Sequence, residues 1–223
     1  MLTCFSARRI VCRSALSPSD WQDLLLVVKK AGATKLDIEK FDENTPDSVK
    51  RLGELCDNTG NVTVYVHVKF DEITPDCVKR LCNMSDKVTV TVGLSKEGKC
   101  VVRSVTEEKI IMSGLSDVVL YPGDVSSLAQ LLSVSQSWQV KGGLGLHSLS
   151  CDDWGELAQL VQSLDSVGRV GMRGVLPPQL DAGLVRHLRG KTEKVWVVNG
   201  EESEEYYKSD ESHLDTILNK YCQ

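Results

Sequence analysis

The stretch that comes nearest to a chemical motif is GLSKEGKC at 93–100, directly after the alternating segment VTVTV. It spells GxxxxGK, with Cys100 where a phosphate-binding loop carries Ser or Thr. In such a loop the glycines let backbone N–H groups wrap the phosphates, the lysine (here Lys99) reaches the terminal phosphates, and the hydroxyl holds magnesium. A thiol cannot take the last role. The residues that follow, VVRSV, are β-branched and predict a returning strand in place of the phosphate-binding helix. The segment therefore reads as a hairpin loop, with a nucleotide-dependent enzyme using Lys99 as the alternative.

Other catalytic chemistry has little to work with. His67, His147, His187 and His213 are far apart in sequence, and neither a GxSxG nor a Cys/His signature surrounds them. The eight cysteines form no CxxC pair, and Cys77 and Cys82 lack the spacing of zinc ligands, so neither metal nor other cofactor is expected. Several cysteines sit at apolar helix positions, where a free thiol acts as a small hydrophobe, and a reducing compartment follows. The glycines of KGGLGLHSL (141–149) suit a tight strand turn or bulge. The run EESEEYYKSDES (201–212) places Glu201, Glu202, Glu204 and Glu205 beside Tyr206 and Tyr207. It reads as a solvated acidic loop between the last strand and last helix, and otherwise as a docking patch or tyrosine phosphorylation site.

The elements that would position these residues are announced by a repeat. KFDENTPDSVKRL (40–52) and KFDEITPDCVKRL (69–81) agree at eleven of thirteen positions, 29 residues apart. Thr45 and Thr74 are N-cap candidates, Pro46 and Pro75 suit the first helical position, and Asp47 and Asp76 follow in the positive first turn. Val49, Leu52 and Leu55, and Val78 and Leu81, then recur at helical spacing. Each loop is preceded by an extended segment, TKLDI (34–38) or NVTVYVHV (61–68), and KVTVTV (87–92) repeats the second. Val62, Val64, Val66 and Val68 mark one buried face and leave Thr63, Tyr65 and His67 on the other. Aligning the KFDE loops instead sets Leu36 and Ile38 against Tyr65 and His67. A one-residue slip reverses every side chain, so the two readings conflict, and the four valines are the stronger pattern.

The same unit recurs. LSPSDWQDLLLVV (16–28) and LSCDDWGELAQLV (149–161) share a Ser N-cap, an Asp three residues on, and a Trp that opens the apolar stripe. Further helices are predicted at 124–132, 177–188 and 211–221, and strands at 117–121, 168–173 and 194–198. Most units span 25 to 30 residues, the period of a solenoid. Here ITPDCVKRL and LSPSDWQDLL resemble the LTxxx-hydrophobic-xxL half of the leucine-rich repeats in ribonuclease inhibitors and in the C-terminal arrays of NOD-like receptors. The LxxLxLxxN/C half is degraded, with no Asn or Cys ladder and with Val in place of Leu in several strands. The resemblance implies an α/β fold, a right-handed β/α arc of about seven to eight irregular repeats forming one domain over 1–223. It also implies a protein-recognition module, of the ligand-sensing or autoinhibitory kind, with no enzymatic activity. A closed barrel is disfavoured, because Thr63, Tyr65, Thr89 and Thr91 suit an open strand face.

That open face is where binding is expected, and it would carry Tyr65, His67, Thr89, Thr91, Lys141, Arg169, Arg173 and Trp196, with Thr63 and Gln139 beside them. Composition agrees with a soluble class: 41% hydrophobic, 26% charged, and no apolar run long enough for a membrane span. A net charge of −5 argues against nucleic acid and favours a basic protein partner. The N-terminus has three Arg and no acid before Asp20, as a transit peptide has, but Arg9–Ala15 also reads as a first strand, and the cytoplasm is the expected location. An adaptor that oligomerises through its acidic segment is the remaining alternative.

Overall fold

The strand and helix periods are realised as a strand–helix array. The computed structural model describes residues 2–6, 8–44, 47–94, 98–174, 182–192, 194–199 and 202–207, and gives no side-chain environment for 2–6, 114–117, 182–183, 185, 196–199 and 202–207. The chain falls into two compact units, one of residues up to Gly93 with Val101–Val105, the other of Leu94–Cys100 with the residues from Thr106 onward.

In the first unit the order is β1 (Leu2–Ser6), β2 (Arg9–Cys12), α1 (Pro18–Ala31), β3 (Lys35–Ile38), α2 (Ser48–Asn58), β4 (Thr63–Lys69), α3 (Pro75–Met84), β5 (Val88–Gly93) and the greater part of β6 (Lys99–Val105). Strands β2 to β5 are parallel neighbours in chain order, with a helix on each link. Helix α1 packs on α2 and α2 on α3. The second unit repeats the plan with β7 (Lys109–Leu120), α4 (Asp124–Leu132), β8 (Ser137–His147), α5 (Cys151–Leu160), β9 (Leu164–Arg173), α6 (Ala182–Lys191), β10 (Lys194–Asn199) and β11 (Glu202–Tyr207). There β7 to β10 are parallel and sequential.

The mixed α/β class expected from the sequence is present. The uniformly parallel array is not, because β1–β2 and β10–β11 are antiparallel. Two residues separate the strands of each of these pairs, enough for a hairpin and far too few for a crossover. The predicted strand at 9–15 ends at Cys12. The helix predicted at 177–188 starts at Ala182 among the described residues, and the one at 211–221 lies outside them.

Register resolves the conflict between the valine pattern and the duplicated phrase. Leu36 pairs with Val64, Ile38 with Val66, and these in turn with Val88 and Val90, all buried on one side. The strands are thus related by 28 residues and the KFDE phrases by 29. The extra residue lies between Val66 and Phe70, where the chain from Ile38 to Phe41 is one residue shorter. The copies consequently differ in shape. Phe41 is buried, its ring edge-on to Trp21 at 6.5 Å, whereas Phe70 opens a 3₁₀ turn over Phe70–Glu72 and is half-exposed.

Helix starts follow the predicted chemistry with one exception. Ser17 and Ser150 each form a capping box, with Asp20 and Asp153. Thr74 accepts from Cys77 N–H and has Pro75 at the first helical position. In the first copy Thr45 and Pro46 lie outside the described residues, and Asp47, expected in the first turn, is instead the N-cap of α2. It has left-handed backbone and no side-chain cap. Contacts one repeat apart tie neighbouring units together: Glu43 accepts from Thr74 N–H and Oγ1, Asp153 Oδ1 from Gly123 N–H at 2.9 Å, and Glu156 from Ser126 Oγ at 2.6 Å.

Candidate recognition surface

In the first unit, alternate strand residues are buried beneath the helices, and Leu36, Ile38, Val64, Val66, Val90 and Val92 have no exposed surface. Period-two alternation sends their neighbours to the opposite side. Tyr65, His67, Thr89 and Thr91 are there, all half-exposed, with Tyr65 beside Thr89 and His67 beside Thr91. Thr63 lies in the same column of β4, next to exposed Lys35.

The sequence reading did not find what flanks them. Asp37 pairs with Tyr65 across β3 and β4, is only 6% exposed, and accepts from Arg9 Nε at 2.6 Å. That bond and the carboxylate's charge raise the Arg9 pKa above its ordinary value, while the guanidinium itself stays largely in water. On the far side Arg103 donates to Thr89 Oγ1 at 3.4 Å. A row therefore crosses the face from β2 to β6: cation, buried acid, phenol, hydroxyl, cation. The period-two position of Asp37 in KLDI was a usable signal. Its pairing with Arg9 required a register that only the folded sheet supplies.

In the second unit Lys141, Arg169 and Arg173 are exposed, as expected. Arg169 lies between Gly143 and Lys194, and Arg173 beside His147. Gly145 and Gly171 are cross-strand neighbours in the row between, with Val119 on one side and Trp196 on the other. For Trp196 the backbone register is described and the side chain is not. The ring of His147 meets Tyr121 edge-on at 5.3 Å, and burial, then the charge of Arg173, lowers the His147 pKa and favours the neutral imidazole. Gln139 is half-exposed on β8, where the register with β9 shifts on both sides of it. The second shift, between Val140 and Gly143, sets Gly168 so close to the Gly142 carbonyl that an added Cβ would lie 2.8 Å from that oxygen. The KGG glycines thus serve a bulge.

The acidic run needs a correction. Glu202, Glu204, Glu205, Tyr206 and Tyr207 belong to strand β11, antiparallel to β10, and not to a loop; Glu201 and 208–212 lie outside the described residues. Gly200 was the overlooked signal, since a Gly directly after a β-forming segment, at the first of two residues before the next one, marks a two-residue hairpin.

GLSKEGKC becomes the loop between β5 and β6, of which 95–97 lie outside the described residues. A strand follows it, as expected, and Cys100 has no exposed surface. Gly98 N–H donates to Asp124 Oδ2 at 3.0 Å, and a Cβ on Gly98 would stand 2.8 Å from the Val119 carbonyl. Its glycine is required by packing against its own unit. No group of three or more His, Cys, Asp or Glu that could hold a metal ion occurs among the described residues.

The thiols differ in reactivity. Burial pushes Cys12 and Cys56 up to about 11 and Cys77 and Cys82 up to about 12, whereas Cys151, at the start of α5, is exposed. Only the thiolate alkylates. With iodoacetamide at neutral pH, Cys151 is expected to react first among the described cysteines, with Cys12, Cys56, Cys77 and Cys100 protected until unfolding. Peptide mass spectrometry over a time course reads this directly, and equal labelling of Cys77 and Cys151 in the native protein would contradict the packing described.

Compared with family models, with curated proteins and with solved structures, the chain gives no match.

Proposed function

We propose that the chain is a protein-recognition module without enzymatic activity, working through the sheet face opposite its helices. The observation that carries the reading is the row Arg9, Asp37, Tyr65, Thr89 and Arg103. Tyr65 lies between Asp37 and Thr89, which bond Arg9 and Arg103 in turn, and Tyr and Arg dominate the energetics of protein interfaces. The buried Asp37 positions Arg9 before any partner arrives, which lowers the ordering cost of binding. Sequential parallel strands with a helix on each link support an irregular leucine-rich-repeat-like solenoid. On that basis the module is a sensing or autoinhibitory array of the NOD-like-receptor type, placed in the cytoplasm. The described cysteines, all free thiols, suit a reducing compartment.

The test is affinity capture with the full chain as bait, comparing the unaltered protein with Tyr65→Ala, Arg173→Ala and the double variant. Leu26→Ala, on the 55%-exposed outer side of α1, serves as control. Loss of the same captured protein from a strand-face variant, with retention by Leu26→Ala, supports recognition by that face. An identical capture list for every bait overturns it.

A further inference from the structure

Between β8 and β9 the strand ladder is interrupted twice, and a cavity opens at the interruption. Gln139 pairs with Ser166 and Val140 with Val167, but the next pair is Gly143 with Arg169, so Lys141 and Gly142 stand opposite Gly168 alone. Such a bulge takes backbone N–H and C=O groups out of the ladder and leaves them to whatever fills the neighbouring space. Gly142 has φ +119°, and Gly168 lies too close to the Gly142 carbonyl to carry a side chain. The glycines of KGGLG thus shape one wall of the cavity as well as the bulge.

The cavity measures about 420 Å³, within the range of small-molecule sites, roughly 300–1,000 Å³. Its charged lining residues are Lys141, Lys191 and Asp165. Asp165 is already engaged, its Oδ2 ion-paired with Lys109 and accepting from Ser137 Oγ at 3.5 Å. The two lysines therefore set the sign of the field. The partial negative charge at the end of α6 opposes them, and Arg189 and Lys191 in its last turn offset that charge. Other acids of these strands lie outside the cavity's rows. There β7 presents Ile111, Met112 and Ser113; Asp117 comes later, opposite Gly143, and β10 and β11 begin pairing only at Lys194, opposite Arg169.

The uncharged lining narrows the ligand further. Half-exposed Gln139 and Ser166 offer an amide and a hydroxyl, while Thr192 Oγ1 is occupied, donating to the Gly168 carbonyl at 3.1 Å and accepting from Lys194 N–H at 3.3 Å. No aromatic side chain lines the cavity among the described residues, so a nucleobase has nothing to stack on. A phosphate group alone fills only part of the volume. We propose that the cavity binds a small phosphorylated polyol, of the sugar-phosphate class. Lys141, Lys191 and backbone N–H groups of the bulge hold the phosphate, and Gln139 and Ser166 meet hydroxyl groups. Binding requires neither the Tyr65 row nor a reaction.

The experiment titrates the full chain with glucose 6-phosphate, glycerol 3-phosphate, glucose, inorganic phosphate and AMP, read by ligand-observed NMR. At least one of the two phosphorylated polyols is expected to bind tenfold or more tightly than glucose, inorganic phosphate or AMP. Lys141→Gln/Lys191→Gln should weaken it at least tenfold, and Gln139→Ala should weaken it without affecting inorganic phosphate. Lys99→Gln, at an exposed lysine of GLSKEGKC, should bind as the unaltered protein does. Circular dichroism confirms that each variant is folded. No binding of either phosphorylated polyol at millimolar concentration overturns the proposal, as does AMP or inorganic phosphate binding as tightly. Affinity that survives the double substitution, or falls equally in Lys99→Gln, overturns it too.

Discussion

Asp124→Ala should lower the unfolding free energy by about 3–5 kcal/mol, a large share of the stability of an ordinary domain. Asp124 has no exposed surface, and its Oδ2 accepts from Gly98 N–H at 3.0 Å and from Tyr121 N–H at 2.9 Å. Removing the carboxylate takes this acceptor from the buried Gly98 N–H and the part-buried Tyr121 N–H, at about 1–3 kcal/mol each, and a negative charge from the first turn of α4. Both donors meet the same oxygen, so Asp124→Asn can keep both bonds through its amide oxygen and should lose much less, chiefly the charge at the helix start. Urea unfolding of the three proteins, followed by circular dichroism, measures the differences. An alanine variant within 1 kcal/mol of the unaltered chain would refute this account of why the loop carries a glycine at 98.

The second large effect separates tryptophans that look alike in sequence. Trp138 has no exposed surface and its Nε1 donates to the Leu160 carbonyl at 2.8 Å. Trp138→Ala is expected to cost about 3–5 kcal/mol through the cavity it leaves. Trp138→Phe should still cost about 1–2 kcal/mol, because a hydrogen bond and some buried volume are lost, although Ser163 Oγ still donates to the Leu160 carbonyl at 3.0 Å. Trp21 and Trp154 are 5% and 6% exposed, yet their Nε1 atoms have no hydrogen-bond partner among the described residues. Replacing either with Phe removes an unsatisfied donor and a little volume, so stability should change by under about 1 kcal/mol. Chemical denaturation of the three Phe variants gives the ranking, and a Trp21→Phe loss as large as that of Trp138→Phe would contradict it.

Much of this was legible beforehand wherever a single segment carried its own signal. The valines of β4 set the strand face and therefore the exposure of Tyr65 and His67. The Ser-x-x-Asp spacing marked the starts of α1 and α5, and the β-branched residues after Cys100 announced β6. What escaped depended on relations between segments. Arg9 meets Asp37 only because β2 and β3 pair in one register out of several, and no local pattern specifies which. Asp124 reads as a first-turn acid, and nothing near it tells that Gly98, 26 residues earlier, leans on its oxygen. The acidic run was read by its charge, which masked the hairpin signal of Gly200 in front of it.

The duplicated phrase bears on how such chains tolerate copying. Two nearly identical segments of thirteen residues begin differently, one with Phe41 buried and the other with a 3₁₀ turn at Phe70–Glu72, while the strands before them keep their faces. A surplus residue was absorbed at the strand exit instead of being passed into the sheet, where it would have turned every following side chain over. The exits act as slack between rigid segments. A newly copied unit can therefore arrive out of step by a residue and still be folded, leaving selection free to diversify its outward residues before its joints are tidy.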